Sequence, residues 1–183
     1  MIEAETKVDL DLIVISVVTH FGTLRDAARA QLRGAVREVL GLQFNLAPEA
    51  VALVSTPGQG LKVELPGQKI GLSTSHEAGI SVAAIHHCGA VGVDILRLPQ
   101  ALEWQPVARD YLGPQAFNQI AGQTRHEQLP AFAREWTSLE ARLKCSGTGL
   151  EEWHPSLARR IDACHSTELE LPEGLFGAVA CSR

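Results

Sequence analysis

Residues 136–144 read Trp136-Thr137-Ser138-Leu139-Glu140-Ala141-Arg142-Leu143-Lys144. Alanine, leucine, glutamate, arginine and lysine are strong helix formers, so the stretch predicts a helix over roughly Leu129–Ser146. Gly147 supplies its stop signal. Trp136, Glu140 and Lys144 recur every four residues and stack on nearly one face of that helix. An aromatic ring, an acid and a base share this face. Alone, it reads as an ion pair beside a core tryptophan, which is common helix decoration. Its meaning depends on the rest of the chain.

A chain of 183 residues fits one domain or two small, intimately packed lobes. With 45% apolar and 20% charged residues, the composition is that of a soluble globular protein. A net charge of −5 argues against a general nucleic-acid binder, which needs a surplus of lysine and arginine. The longest apolar run, Leu10–Val18, is broken by Asp11 and is far too short to span a bilayer. Glu3, Glu5 and Asp9 make the start acidic, so no signal peptide is expected. Cys88, Cys145, Cys164 and Cys181 show no CxxC spacing, and the simplest expectation is reduced thiols in a cytoplasmic protein.

Val8–Thr19 is β-branched and predicts a buried strand. Thr23 then reads as an N-cap, with Asp26 three residues on, for a helix that ends at Gly41. Val51–Thr56, Leu61–Leu65, Ile70–Ser73, Ile80–Ile85 and Val91–Leu96 read as strands, with a turn at Pro57–Gly58. After Leu98, prolines divide a helical region that the Leu129–Ser146 helix closes. A terminal hairpin is expected from Leu169–Leu171 and Leu175–Cys181 around Pro172–Gly174. The class is mixed α and β (α+β), in two lobes, 1–97 and 98–183.

Ser75 and His76 stand in STSHEAG, read as lying between strands, and Asp94 ends the strand AVGVDIL between Val93 and Ile95. A charge in an apolar strand is costly unless it is paired or metal-bound. Asp94, Glu140 and Lys144 are the set a magnesium–phosphate centre wants: two carboxylates for the metal and an ammonium for phosphate charge.

These residues carry a resemblance. The VGVD strand end, an upstream SH pair and the EWTSLEARLK helix resemble the Sfp-type 4′-phosphopantetheinyl transferases, closely over Ser73–Leu150. Their patterns are G-[IV]-D and W-[ST]-x-K-E-[AS]-x-x-K. The resemblance implies two similar α/β subdomains about a pseudo-twofold axis, with coenzyme A bound in the cleft. It implies transfer of the phosphopantetheine arm to a serine of an apo acyl or peptidyl carrier protein. By position, Asp94 and Glu140 would hold Mg2+, and Glu140 would also help deprotonate the serine. Lys144, Ser75 and His76 would contact the coenzyme's phosphates. Arg25 and Arg29, from the row Arg25, Arg29, Arg33, Arg37, are expected at its 3′-phosphate.

The chain departs from the family pattern at three places. Leu96 stands where the pattern has a second acid, and Leu139 where it has a lysine. No basic segment precedes the SH pair, although Lys62 and Lys69 lie nearby. The alternative is therefore a degenerate relative that binds coenzyme A or a carrier without catalysis. Leu112, Phe117 and Ile120 fall in the region where the family receives its carrier, with core packing as the competing role. Other readings are weaker. His86, His87 and Cys88 alternate faces on a strand, and Ser75 with His76 lacks the G-x-S-x-G context of a hydrolase.

Overall fold

A computed structural model describes residues 11–55, 60–99 and 101–182. Residues 8–10 of the expected first strand, the acidic start and the Pro57–Gly58 turn lie outside them. The chain divides into two compact units, Met1–Val91 and Gly92–Arg183. The sequence puts the seam after residue 97 and assigns the GVD motif to the first unit. In the structure the motif belongs to the second unit, because its strand pairs with one from the end of the chain.

In the first unit, β1 (Leu12–Val18) leads into α1 (Arg25–Phe44). A one-turn helix, Pro48–Ala50, precedes a short ribbon of β2 (Ala52–Ser55) and β3 (Leu61–Glu64). Strands β4 (Gly71–Glu77) and β5 (Ile80–His86) complete an antiparallel sheet in the order β1-β5-β4. Alternation along these strands puts Ile13, Ile15, Leu72, Ala83 and Ile85 on one face. They pack with Leu32, Val36 and Leu40 of α1.

Two details of α1 differ from the sequence reading. Leu24, not Thr23, precedes the first helical residue, and no side chain caps that end. The helix also runs past Gly41 to Phe44, and Asn45 closes it in the left-handed conformation at φ 52°. Gly41 serves packing instead: a Cβ there would stand 2.8 Å from the Leu46 carbonyl oxygen.

The second unit opens with β6 (Val91–Arg97). Short helices follow: α2 (Trp104–Val107), a π turn at Ala108–Leu112, and α3 (Gly113–Ala121). Then come α4 (Gln128–Ser146), α5 (Pro155–Ile161), β7 (Cys164–Glu168) and β8 (Leu175–Ser182). The sheet order is β6-β8-β7. The expected first hairpin strand, Leu169–Leu171, is instead loop. Its place is taken by Cys164–Glu168, a polar stretch whose outer positions face solvent and give no apolar signal. The α4 helix packs on β8 and β7 through Ala141, Cys145, Cys164, Ala178 and Ala180. Burial first, then a hydrogen bond with Cys164, pushes the Cys145 thiol well up, so it acts as a packing group.

Each three-stranded sheet has the strand order first, last, middle. The mixed α and β class is as expected. Among the described residues, no helix is long and apolar enough to cross a membrane.

Candidate functional site

Asp94 sits in the middle of β6, between Val93 and Ile95, which are both buried. Strand alternation turns Asp94 to the same side as Gly92 and Leu96. On that side lies α4. A Cβ on Gly92 would come within 1.9 Å of the Ala141 carbonyl oxygen and 2.5 Å of the Cys145 amide nitrogen. Only glycine lets β6 lie this close to the helix backbone. The sequence marks Gly92 as part of a motif, but this contact is a tertiary fact that no local pattern reveals.

That close approach puts the helix's charged side chains at the strand. Lys144 Nζ donates to Asp94 Oδ1 at 2.7 Å and to the Val93 carbonyl oxygen at 3.0 Å. The Asp94 side chain is only 14% exposed and that of Lys144 33%. The pair is therefore less screened than a rim ion pair. Glu140 lies one helical turn before Lys144. Burial, and after it the charge of Asp94, raises the Glu140 carboxyl above the ordinary range, while Lys144 pulls the other way. The charges of Asp94 and Lys144 thus both act on Glu140, in opposite directions.

A carboxyl raised in the folded chain has a definite linkage sign. Its stabilising contribution is full below the unfolded pKa and is lost as pH rises through the folded pKa. Glu140→Gln is therefore expected to melt above wild type at about pH 8, with the gain vanishing near pH 4. Circular-dichroism melts of both proteins across that range check it. A melting difference that ignores pH would show that Glu140 carries no such penalty.

Trp136, the third member of the stacked face, is not a site group. It stacks on Phe132 and meets Tyr111 edge-on, each at 5.9 Å between ring centres, beside the cluster of Trp104 and Ile120. Leu112 and Phe117 pack against that same cluster, and Ile120 is buried in it, so all three have core roles. Leu139, where the family pattern has a lysine, is 4% exposed among Leu143, Leu157 and Ile161.

The other expected site residues belong to the first unit. Ser75 and His76 lie within β4, not between strands, because β4 extends to Glu77 opposite Ile80. Neighbouring strand residues face opposite sides, so they do not act as a side-by-side pair. Ser75 is buried, whereas His76 Nδ1 hydrogen-bonds Ser81 Oγ at 2.8 Å directly across the ladder. Ser81 carries no local signal that singles it out; it is fully buried and bonds the imidazole. In α1, Arg29 pairs with Asp26 at 3.6 Å, and Arg37 Nε donates to the Val51 carbonyl oxygen at 3.2 Å. The basic row is thus divided: Arg25 and Arg29 are exposed, while Arg37 ties the helix to the following segment.

The donor set suits a hard divalent cation. Asp94 and Glu140 supply carboxylate oxygens, and their mutual repulsion is what a cation relieves. Among the described residues no cluster brings three or more His, Cys, Asp or Glu side chains together as metal ligands. Mg2+ is commonly held by one or two carboxylates together with substrate phosphates and water, so two suffice.

No curated protein matches the chain. A family model does match, over residues 90–175, a span that contains both β6 and the whole of α4. The model is that of the 4′-phosphopantetheinyl transferase superfamily, the family to which GVD and WTSLEARLK pointed.

Proposed function

We propose that the chain transfers the 4′-phosphopantetheine arm of coenzyme A to a serine of an apo carrier protein, with Mg2+ held by Asp94 and Glu140. The observation that carries this reading is the juxtaposition of Asp94, Glu140 and Lys144 where β6 meets α4, inside the segment that matches the transferase superfamily. The serine oxygen forms a bond to the β-phosphorus of the coenzyme's pyrophosphate. The bond from that phosphorus to the bridging oxygen breaks, and adenosine 3′,5′-bisphosphate leaves. When bound, the cation offsets charge on the pyrophosphate. Glu140, whose carboxyl burial and then the charge of Asp94 raise, is a stronger base than an ordinary carboxylate for the serine's proton. Lys144 supplies positive charge to the phosphates.

His76, Ser75, Arg25 and Arg29 lie outside the matched segment and are proposed as contacts to the coenzyme's phosphates on the sequence resemblance alone, with His76 the better supported of the SH pair because Ser75 faces the other side of β4. The common strand order of the two units supports reading them as similar subdomains, the arrangement expected of an Sfp-type enzyme. Four thiols suit a reducing cytoplasmic setting.

One observation favours a second reading, binding of coenzyme or carrier without transfer. Leu139 is built into an apolar cluster, so a cation of the family pattern is gone. A single experiment separates the two. Apo carriers from fatty-acid, polyketide and peptide synthases are incubated with the protein, coenzyme A and Mg2+, and their intact masses are read. Transfer predicts the added mass of the arm on at least one carrier and its disappearance with EDTA. An unchanged mass on every carrier, with coenzyme binding retained, would sink the transferase reading.

A further inference from the structure

Lys144 and a cation compete for the same carboxylate. The ammonium donates to Asp94 Oδ1 at 2.7 Å, a charge-assisted bond, and is anchored a second time on the Val93 carbonyl at 3.0 Å. Two positive charges on one carboxylate repel each other, and Asp94's low exposure leaves little solvent to screen them. Leu96, which shares Asp94's side of β6, adds no further carboxylate from the strand, so Glu140 is the other acid that shares the charge of Lys144. The lysine stem, by contrast, is flexible and a third exposed, so its ammonium can turn to another anion without moving α4.

We propose that Lys144 is an internal counter-ion that shuts Asp94 to divalent cations until a phosphate anion draws the ammonium away. This rests on the reading of Asp94 and Glu140 as metal ligands. Cation and coenzyme then load together, and the protein without coenzyme binds the cation weakly. A further acid on the strand would offset more of the two positive charges; with Leu96 there, Asp94 and Glu140 alone offset them.

The test is Mn2+ binding to the protein without coenzyme, followed by the electron paramagnetic resonance signal of the free ion. Lys144→Met is expected to bind Mn2+ about tenfold or more tightly than wild type. Lys144→Gln, which keeps a polar side chain, is expected to follow it, and Asp94→Asn combined with either change to lose the gain. Adenosine 3′,5′-bisphosphate or coenzyme A should tighten Mn2+ binding by wild type and narrow its difference from Lys144→Met. Equal affinity of wild type and both Lys144 variants, abolished by Asp94→Asn, would overturn the counter-ion role and leave the metal site standing. Absence of Mn2+ binding by every variant, coenzyme present, would overturn the metal reading and the counter-ion role with it.

Discussion

Asp94→Ala is expected to lower phosphopantetheine transfer by about 10²–10³-fold, with coenzyme binding retained to within about tenfold. Asp94 is the carboxylate that Lys144 grips and the one whose charge raises Glu140. Removing it takes away a proposed cation ligand and leaves the Lys144 ammonium with its Val93 carbonyl contact. Burial still holds the Glu140 carboxyl up, but losing the charge of Asp94 moves it back toward its ordinary range and makes it a weaker base. On the proposed transferase reading these losses should fall on turnover, because the groups would act on charge that develops during transfer. Initial rates of carrier modification by intact mass, with coenzyme affinity by calorimetry, check both halves. An alanine variant that transfers at the wild-type rate would remove Asp94 from the machinery. A protein that binds carrier identically with and without Asp94, and never transfers, is the binding module.

Gly92→Ala is expected to cost about 3 kcal/mol of stability, lowering the melting temperature by roughly 6–12 °C. The added Cβ would lie 1.9 Å from a carbonyl oxygen and 2.5 Å from an amide nitrogen of α4. Both are helix backbone, which cannot rotate aside as a side chain can. The strand and helix must part, and the distance they gain is taken from the 2.7 Å bond between Lys144 and Asp94. Activity should therefore fall at temperatures where the variant is still folded. Gly149→Ala is the control, because nothing lies within 4 Å of a Cβ there. Thermal melts of the three proteins decide the matter: if Gly92→Ala and Gly149→Ala melt alike, the close approach is not what holds the site together.

What the sequence makes legible here follows from how local each signal is. The bounds of α4 are legible because helix formers run up to Gly147, which adopts φ 67°, a conformation glycine alone enters without strain. Asp94 is legible as an anomaly, a carboxylate in an apolar strand. The end of α1 is misread because Gly41 looks like a stop signal, whereas its conformation is helical and its missing side chain makes room for the returning chain at Leu46. His76 is misplaced for a related reason: polar residues STSHE look like a loop, yet they form a strand because β5 pairs with them along its whole length. Ser81 and Gly92 could not be singled out, since their roles depend on partners across a ladder and on a helix some 50 residues away.

The burial of Leu139 makes one departure from the family pattern hard to reverse. A lysine restored at this position would carry its stem into the packing between Leu143, Leu157 and Ile161, and its ammonium would have to escape from among them. Leu157 and Ile161 of α5 line that space, so a lysine at position 139 requires a different packing between α4 and α5. The cation that α4 holds at Asp94 is the Lys144 ammonium, and the packing around Leu139 leaves no room beside it for a second.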